Sequence, residues 1–89
     1  MIYEYPAVFT VDKEDVGWVN VKFPDIFAGV TCGKGMDEAI FMAKDLLKLM
    51  LTDSPKQCLP PSRIEDVKKE FPGAVVIMIE VEIDEVVEC

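Results

Sequence analysis

The alternation of apolar and polar positions divides this chain into strand-like and helix-like segments. Residues 2–11 carry apolar side chains at every second position, which is typical of a half-buried strand. A second alternating run at residues 18–23 follows a polar turn that ends in Gly17, so the two runs predict a β-hairpin. A short third strand is predicted over residues 28–32. The residues that share one face of the first two strands are Tyr3, Tyr5, Ala7, Phe9, Val11, Val19, Val21 and Phe23.

The spacing of apolar residues changes to that of a helix at Met36. Apolar side chains then recur at intervals of three and four, which predicts an amphipathic helix over residues 36–52. Further along, Ser62 and Glu65 spell a capping box, which predicts a short second helix over residues 63–70. The apolar stripe of the long helix comprises Met36, Ala39, Ile40, Ala43, Leu46, Leu47 and Met50.

A last alternating run at residues 75–84 predicts a fourth strand and completes a two-layer α+β fold with the element order βββα(α)β. One long helix covers only one face of such a sheet. Apolar groups on the other face are therefore expected to be exposed and to mark an interface. On that face lie Trp18, Val76 and Met78, together with Ile2 and Val8 of the first strand. A row of acids spaced roughly 7 Å apart continues the last strand. These acids are Glu80, Glu82 and Asp84.

The charge of the chain indicates the chemistry of its partner. Nine basic residues against seventeen acidic ones give a net charge of −8, and the chain has no histidine. Nucleic-acid backbones require clustered Lys and Arg, so direct binding of nucleic acid is not expected. An apolar patch that runs into an acidic rim suits a basic protein instead. The residues predicted to bind a basic protein are therefore Trp18, Val76, Met78, Glu80, Glu82 and Asp84. Self-association of the sheet into a homodimer or homotetramer competes for the same face.

The residue types present also limit the possible reactions. Without histidine, neither His-dependent zinc sites nor Ser-His and Cys-His catalytic pairs can form. Cys32, Cys58 and Cys89 lack the spacing of a zinc or redox motif, which favours reduced thiols and a cytoplasmic protein. No apolar run approaches the ~20 residues of a membrane span, and the chain starts without a basic leader. We expect no catalytic residue, no metal and no cofactor.

The segment FPDIFAGVTCGKGMDEA, residues 23–39, is the place where an active site would be sought. Asp25, Asp37 and Glu38 could hold Mg²⁺ in a nuclease, but a Pro-Asp turn and the first turn of a helix explain the same acids. The glycines of the segment lack the order of a phosphate-binding loop, and Cys32 has no base beside it in the sequence. Chain reversal is the favoured interpretation. The alternatives left open are a Mg-dependent nuclease and an orphan domain that binds another protein or a ligand.

Four motifs in a consistent order give the chain a family resemblance. They are YPAVF at residues 5–9, WVNVKFPDI at 18–26, GVTCGKGMDEAIFMAKDLL at 29–47 and LPPSRIEDVKKE at 59–70. Together they resemble the HicB-like antitoxins. The resemblance implies a partial RNase H-like fold with sheet order 3-2-1-4. It also implies an antitoxin that binds and occludes a small basic HicA-type toxin, which cleaves mRNA.

The resemblance also bears on domain organisation. Many HicB-like proteins carry a C-terminal DNA-binding segment, whereas only EVVEC follows Asp84 here. We therefore expect a single HicB-like domain over residues 1–89 without a DNA-binding domain.

Overall fold

A computed structural model of the protein describes residues 2–83. These residues form one antiparallel sheet with the strand order β3-β2-β1-β4, which confirms the predicted α+β fold and the order 3-2-1-4. The predicted helices and strands are all present, although the third strand begins two residues later than expected. The elements are β1 Ile2–Val11, β2 Trp18–Lys22, β3 Val30–Lys34, α1 Met36–Asp53, a short 3-10 helix Pro55–Gln57, α2 Ile64–Glu70 and β4 Val75–Glu82.

The main core lies between one face of the sheet and α1. The predicted apolar stripe of the helix is confirmed, because Ala39, Ala43 and Leu47 are fully buried against the strands and Leu51 extends the stripe by one turn. Gly33 allows this contact: a Cβ atom at its position would lie 2.5 Å from the backbone nitrogen of Ala39. Close packing of the first turn of α1 on β3 therefore requires glycine there. The strand residues of this core are Tyr5, Ala7, Phe9, Val19, Val21, Ile79 and Val81.

The second helix packs on the opposite face of the sheet. Val8 alternates with core residues along β1, so its side chain points to the second face, where it forms a small cluster with Val67 of α2 and Val76 of β4. Val76 is only 8% exposed. The expectation that one helix leaves all apolar groups of this face exposed is therefore wrong at Val76, because α2 covers this end of β4.

The segment between the two helices is held against the turn that follows β2. Asp25 accepts hydrogen bonds at its carboxylate from the backbone N–H of Ser62 at 2.8 Å and from the Ser62 hydroxyl at 2.6 Å. The predicted capping box is wrong, since the hydroxyl of Ser62 makes this contact and α2 has no side-chain cap. A bridge between Ile26 and Cys58 and the hydrogen bond from the Tyr5 hydroxyl to the Leu59 carbonyl, at 2.8 Å, complete the attachment.

These contacts fix the route by which the chain leaves α1 on one face and enters α2 on the other. The FPDIF turn is thus a docking site for the connecting segment. None of the helices within residues 2–83 is long and apolar enough to span a membrane.

Candidate protein-binding surface

Three carboxylates lie together on the second face of the sheet, at the end remote from α2. In the β1–β4 ladder, Glu4 is directly opposite Glu80, and Ile2 is opposite Glu82. All three glutamates are exposed, and the Ile2 side chain beside them is 61% exposed. We call Glu4, Glu80 and Glu82 the acidic patch. Like charges directly opposite each other destabilise a strand pair, so this arrangement costs the folded protein some stability.

No ion pair among the described residues neutralises the acidic patch. The one salt bridge between described residues joins Arg63 and Glu65 at 3.7 Å, with both side chains exposed. The three carboxylates are therefore not held in ion pairs, although Lys44 and Lys48 of α1 line an open pocket together with Glu80 and Glu82. Within residues 2–83, no three Cys, Asp or Glu side chains form a group that could hold a metal ion.

The structure divides the predicted row of partner-binding residues. Glu80 and Glu82 lie side by side on the second face, and Met78 is half-buried next to them, opposite Pro6. Val76 is buried under α2, as described above. Asp84 lies outside the described residues. The acidic half of the row thus remains on the surface, while its first apolar residue does not.

Trp18 lies far from the acidic patch. It is 39% exposed and continues the β1–β2 ladder opposite Asp12, whereas Glu80 is opposite Glu4. Glu4 lies within β1 and Asp12 directly follows it, so the two positions differ by 12 − 4 = 8 residues. At about 3.3 Å per residue this corresponds to roughly 26 Å along the sheet. Trp18 and the acidic patch are therefore separate parts of the same face.

Glu4 is the surface residue that sequence reasoning missed. The period-two pattern already placed Ile2 on the second face of the first strand, and Glu4 shares that parity. Strand order 3-2-1-4 then makes β1 the neighbour of β4. What the pattern lacked was the register between the strands, which pairs Glu4 with Glu80 and no other residue.

An open apolar groove occupies the other end of the second face. Its walls include Val8, Val30 and Cys32 from the strands and Phe71 from the end of α2. The Lys22 ammonium lies 5.7 Å from the centroid of the Phe71 ring, a cation–π distance. This end of the face carries lysine and apolar groups, in contrast to the carboxylates at the other end.

Burial alters the acid–base behaviour of two groups under the connecting segment. Burial raises the pKa of the Tyr5 hydroxyl, and the charges of Cys58 and Asp25 add to the effect. Burial also raises the pKa of the Cys58 thiol. Both groups are therefore protonated at neutral pH, which suits hydrogen bonding and opposes a role as nucleophile. The Cys58 sulfur lies 3.8 Å from the carbonyl oxygen of Ser54.

Most of the chain is structurally similar to a protein in a solved complex. It superimposes with a TM-score of 0.73 on a chain in the solved toxin-antitoxin complex from Streptococcus pneumoniae, with 26% sequence identity. The match covers 92% of this chain and 70% of that chain. No protein-family model matches this chain, and no curated protein sequence is significantly similar to it.

Proposed function

We propose that this protein is the antitoxin of a HicA/HicB-type toxin-antitoxin system and that it neutralises a small basic mRNA-cleaving toxin. The likeness to a chain of a toxin-antitoxin complex supports the antitoxin role. The acidic patch is the observation that carries the choice of partner, because three unneutralised carboxylates on one sheet face attract a basic surface. The motifs from YPAVF to LPPSRIEDVKKE support the HicB-like type and its partial RNase H-like fold.

The proposed contact surface combines apolar and acidic groups. Met78 and Ile2 supply apolar area, and Glu4, Glu80 and Glu82 supply charge around it. A protein interface typically has this composition, with an apolar centre and a polar rim. The same carboxylates would meet the basic residues with which a ribonuclease holds RNA. We include Asp84 in the proposed surface because it continues the alternating series of Glu80 and Glu82 in the sequence.

Inhibition of this kind requires no reaction by the antitoxin. A bound acidic surface excludes RNA by steric and electrostatic occlusion, so we propose a non-enzymatic cytoplasmic protein. The contacts of Asp25 also favour binding over the nuclease alternative. Its carboxylate accepts two hydrogen bonds from Ser62, which gives this acid a structural role in holding the connecting segment.

Co-expression tests the proposed function. The gene should lie beside a short reading frame for a basic protein with one essential histidine, and expression of that frame alone should arrest growth. Expression of both proteins should restore growth, and the two should co-purify at moderate salt. If growth is not restored and the proteins do not co-purify, the proposed function is wrong. RNA cleavage by the purified protein in Mg²⁺, lost on Asp25→Ala, would support the nuclease instead.

A further inference from the structure

For each residue of β1, the structure shows which neighbouring strand its backbone N–H and C=O groups point toward. In an antiparallel ladder, residue pairs that exchange two hydrogen bonds alternate with pairs that exchange none. The Asp12 N–H donates to the Trp18 carbonyl at 2.9 Å, and this pair continues the register in which Val11 is opposite Val19. Even-numbered residues of β1 therefore direct their backbone groups toward β2, and odd-numbered residues direct theirs toward β4.

Pro6 gives independent support for this assignment. As an even-numbered residue of β1, it directs its backbone nitrogen toward the side of β2. The β1–β2 ladder begins only at Val8, opposite Lys22, so no strand of the described residues needs a hydrogen bond from position 6. Sheets accept proline at such positions, because it has no N–H to donate.

The outer side of β4 follows from the same alternation. Tyr5 is opposite Ile79, so odd-numbered residues of β4 bond to β1. Even-numbered residues must direct their N–H and C=O groups away from the sheet. Within residues 2–83, β4 has a neighbouring strand on one side only. The residues whose backbone N–H and C=O groups point away from the sheet, here called outward-facing, are Val76, Met78, Glu80 and Glu82.

The two edge strands of the sheet, β3 and β4, differ in the features that hinder pairing with a strand of another chain. The β3 edge has five residues and ends in a lysine, Lys34, and the N–H of Val30 is already donated to the Ala28 carbonyl. The β4 edge has eight residues without proline, paired to β1 in unbroken register and apolar over its first five positions. Proteins generally cover or interrupt an edge of this kind, because it is a template for another strand.

We infer that the outer edge of β4 pairs antiparallel with β4 of a second copy of this chain, which creates a continuous eight-stranded sheet. A two-fold axis at Ile79 gives every outward-facing residue a partner: Val76 lies opposite Glu82 of the second copy, and Met78 lies opposite its Glu80. No carboxylate then faces another directly, although each chain carries a net charge of −8. The acids occupy the C-terminal half of β4, so antiparallel pairing places them beside the apolar N-terminal half of β4 in the second copy.

This dimer leaves the proposed toxin contact accessible. An axis perpendicular to the sheet keeps the second faces of both copies on the same side, so the assembly presents two acidic patches. Formation of this dimer does not require the toxin, so it can be tested separately from the proposed function.

A proline at position 80 tests the inference. Glu80→Pro removes one outward-facing N–H and leaves the β1–β4 hydrogen bonds intact, while Glu80→Ala keeps the N–H and serves as the matched control. By analytical ultracentrifugation, the native protein and Glu80→Ala should be dimers, each of two 10.0 kDa chains. Glu80→Pro should be a monomer with a native circular dichroism spectrum. A monomeric native protein overturns the inference, and so does a folded Glu80→Pro that remains a dimer.

Amide hydrogen exchange of the native protein gives a second readout that does not depend on the folding of Glu80→Pro. In the paired edge, the amides of Met78 and Glu80 should exchange as slowly as those of Ile77 and Ile79, and dilution should remove that protection. Fast exchange of the two even-numbered amides in concentrated protein overturns the inference. Protection that arises only after a toxin is added overturns it as well, and assigns the edge to that partner.

Discussion

Asp25 and Ser62 are joined across 37 residues of sequence by two hydrogen bonds to one carboxylate. Asp25 belongs to the turn after β2, and Ser62 lies two residues before the start of α2. The pair therefore ties the route of the connecting segment to the sheet. Through α2, it determines which part of the second face is covered and which part is left to a partner.

Removal of Asp25 should destabilise the fold more than removal of the Ser62 hydroxyl. Asp25→Ala leaves the Ser62 N–H without its acceptor and should lower the free energy of unfolding by about 1–3 kcal/mol, whereas Ser62→Ala should cost about 0.5–1.5 kcal/mol. Urea denaturation of both variants and of the double variant checks this. The double variant should resemble Asp25→Ala. Strict additivity of the two losses would show that the residues act separately.

Gly33 should tolerate no side chain. Gly33→Ala places a Cβ atom 2.5 Å from the Ala39 nitrogen and 2.7 Å from its Cα, both backbone atoms that move only if α1 shifts. We expect a loss of about 1–3 kcal/mol in unfolding free energy, as for other overpacked sites. Gly73→Ala is the matched control, since no atom lies within 4 Å of the added methyl group. Equal thermal stability of the two variants would contradict the close packing of α1 on β3.

The acidic patch should reduce the stability of the unbound protein. Glu80→Gln removes the like-charge pair with Glu4 and should raise the free energy of unfolding by about 0.2–1 kcal/mol at low salt. Added salt should shrink the gain. Glu14→Gln, at an exposed position in the β1–β2 turn, is the control for the change in net charge. A loss of stability in Glu80→Gln would mean that the carboxylate makes a favourable contact, and the patch would then have a structural role.

Tyr5 should make the stability fall at alkaline pH. Its pKa is raised in the folded state above the ordinary value of 10.0, chiefly by burial. A raised pKa means that folding favours the protonated hydroxyl. The contribution is therefore complete below the unfolded pKa and is lost as pH rises through the folded pKa. In Tyr5→Phe, the decline of unfolding free energy above pH ~10 should be shallower than in the native protein. Parallel declines would contradict this role of Tyr5.

The succession of strands and helices along the chain could be predicted because local patterns determine it, whereas the sheet order 3-2-1-4 was implied by the family resemblance. The stripe from Met36 to Met50 needs only a helical period, and the faces of β1 and β4 need only a period of two. The capping box at Ser62 failed for a different reason. The capping-box pattern predicts a partner for Ser62 three residues away, but the turn at Asp25 offers a carboxylate acceptor that is distant in sequence and near in space.

The candidate surface was predictable only in part for the same physical reason. Glu80 and Glu82 follow from the alternation of β4. The burial of Val76 depends on where α2 docks, and the pairing of Glu4 with Glu80 depends on inter-strand register. Trp18 shares the face with the acids, yet its distance from them is set by how far β2 extends along β1. Long-range geometry of this kind leaves no local signal in the sequence.

The affinity of the protein for a HicA-type toxin encoded beside its gene tests the central claim most directly. Two variants with equal net charge should be compared by calorimetric titration. One neutralises the patch with Glu4→Gln, Glu80→Gln and Glu82→Gln. The other neutralises three exposed acids elsewhere, with Glu14→Gln, Asp53→Asn and Glu70→Gln.

We predict that the patch variant raises Kd at least tenfold, equivalent to about 1.4 kcal/mol, while the control variant stays within about threefold of the native protein. The difference should shrink as salt is added, because the lost attraction is electrostatic. If the two variants bind equally well, or lose affinity to the same extent, the acidic patch is not the toxin-binding surface.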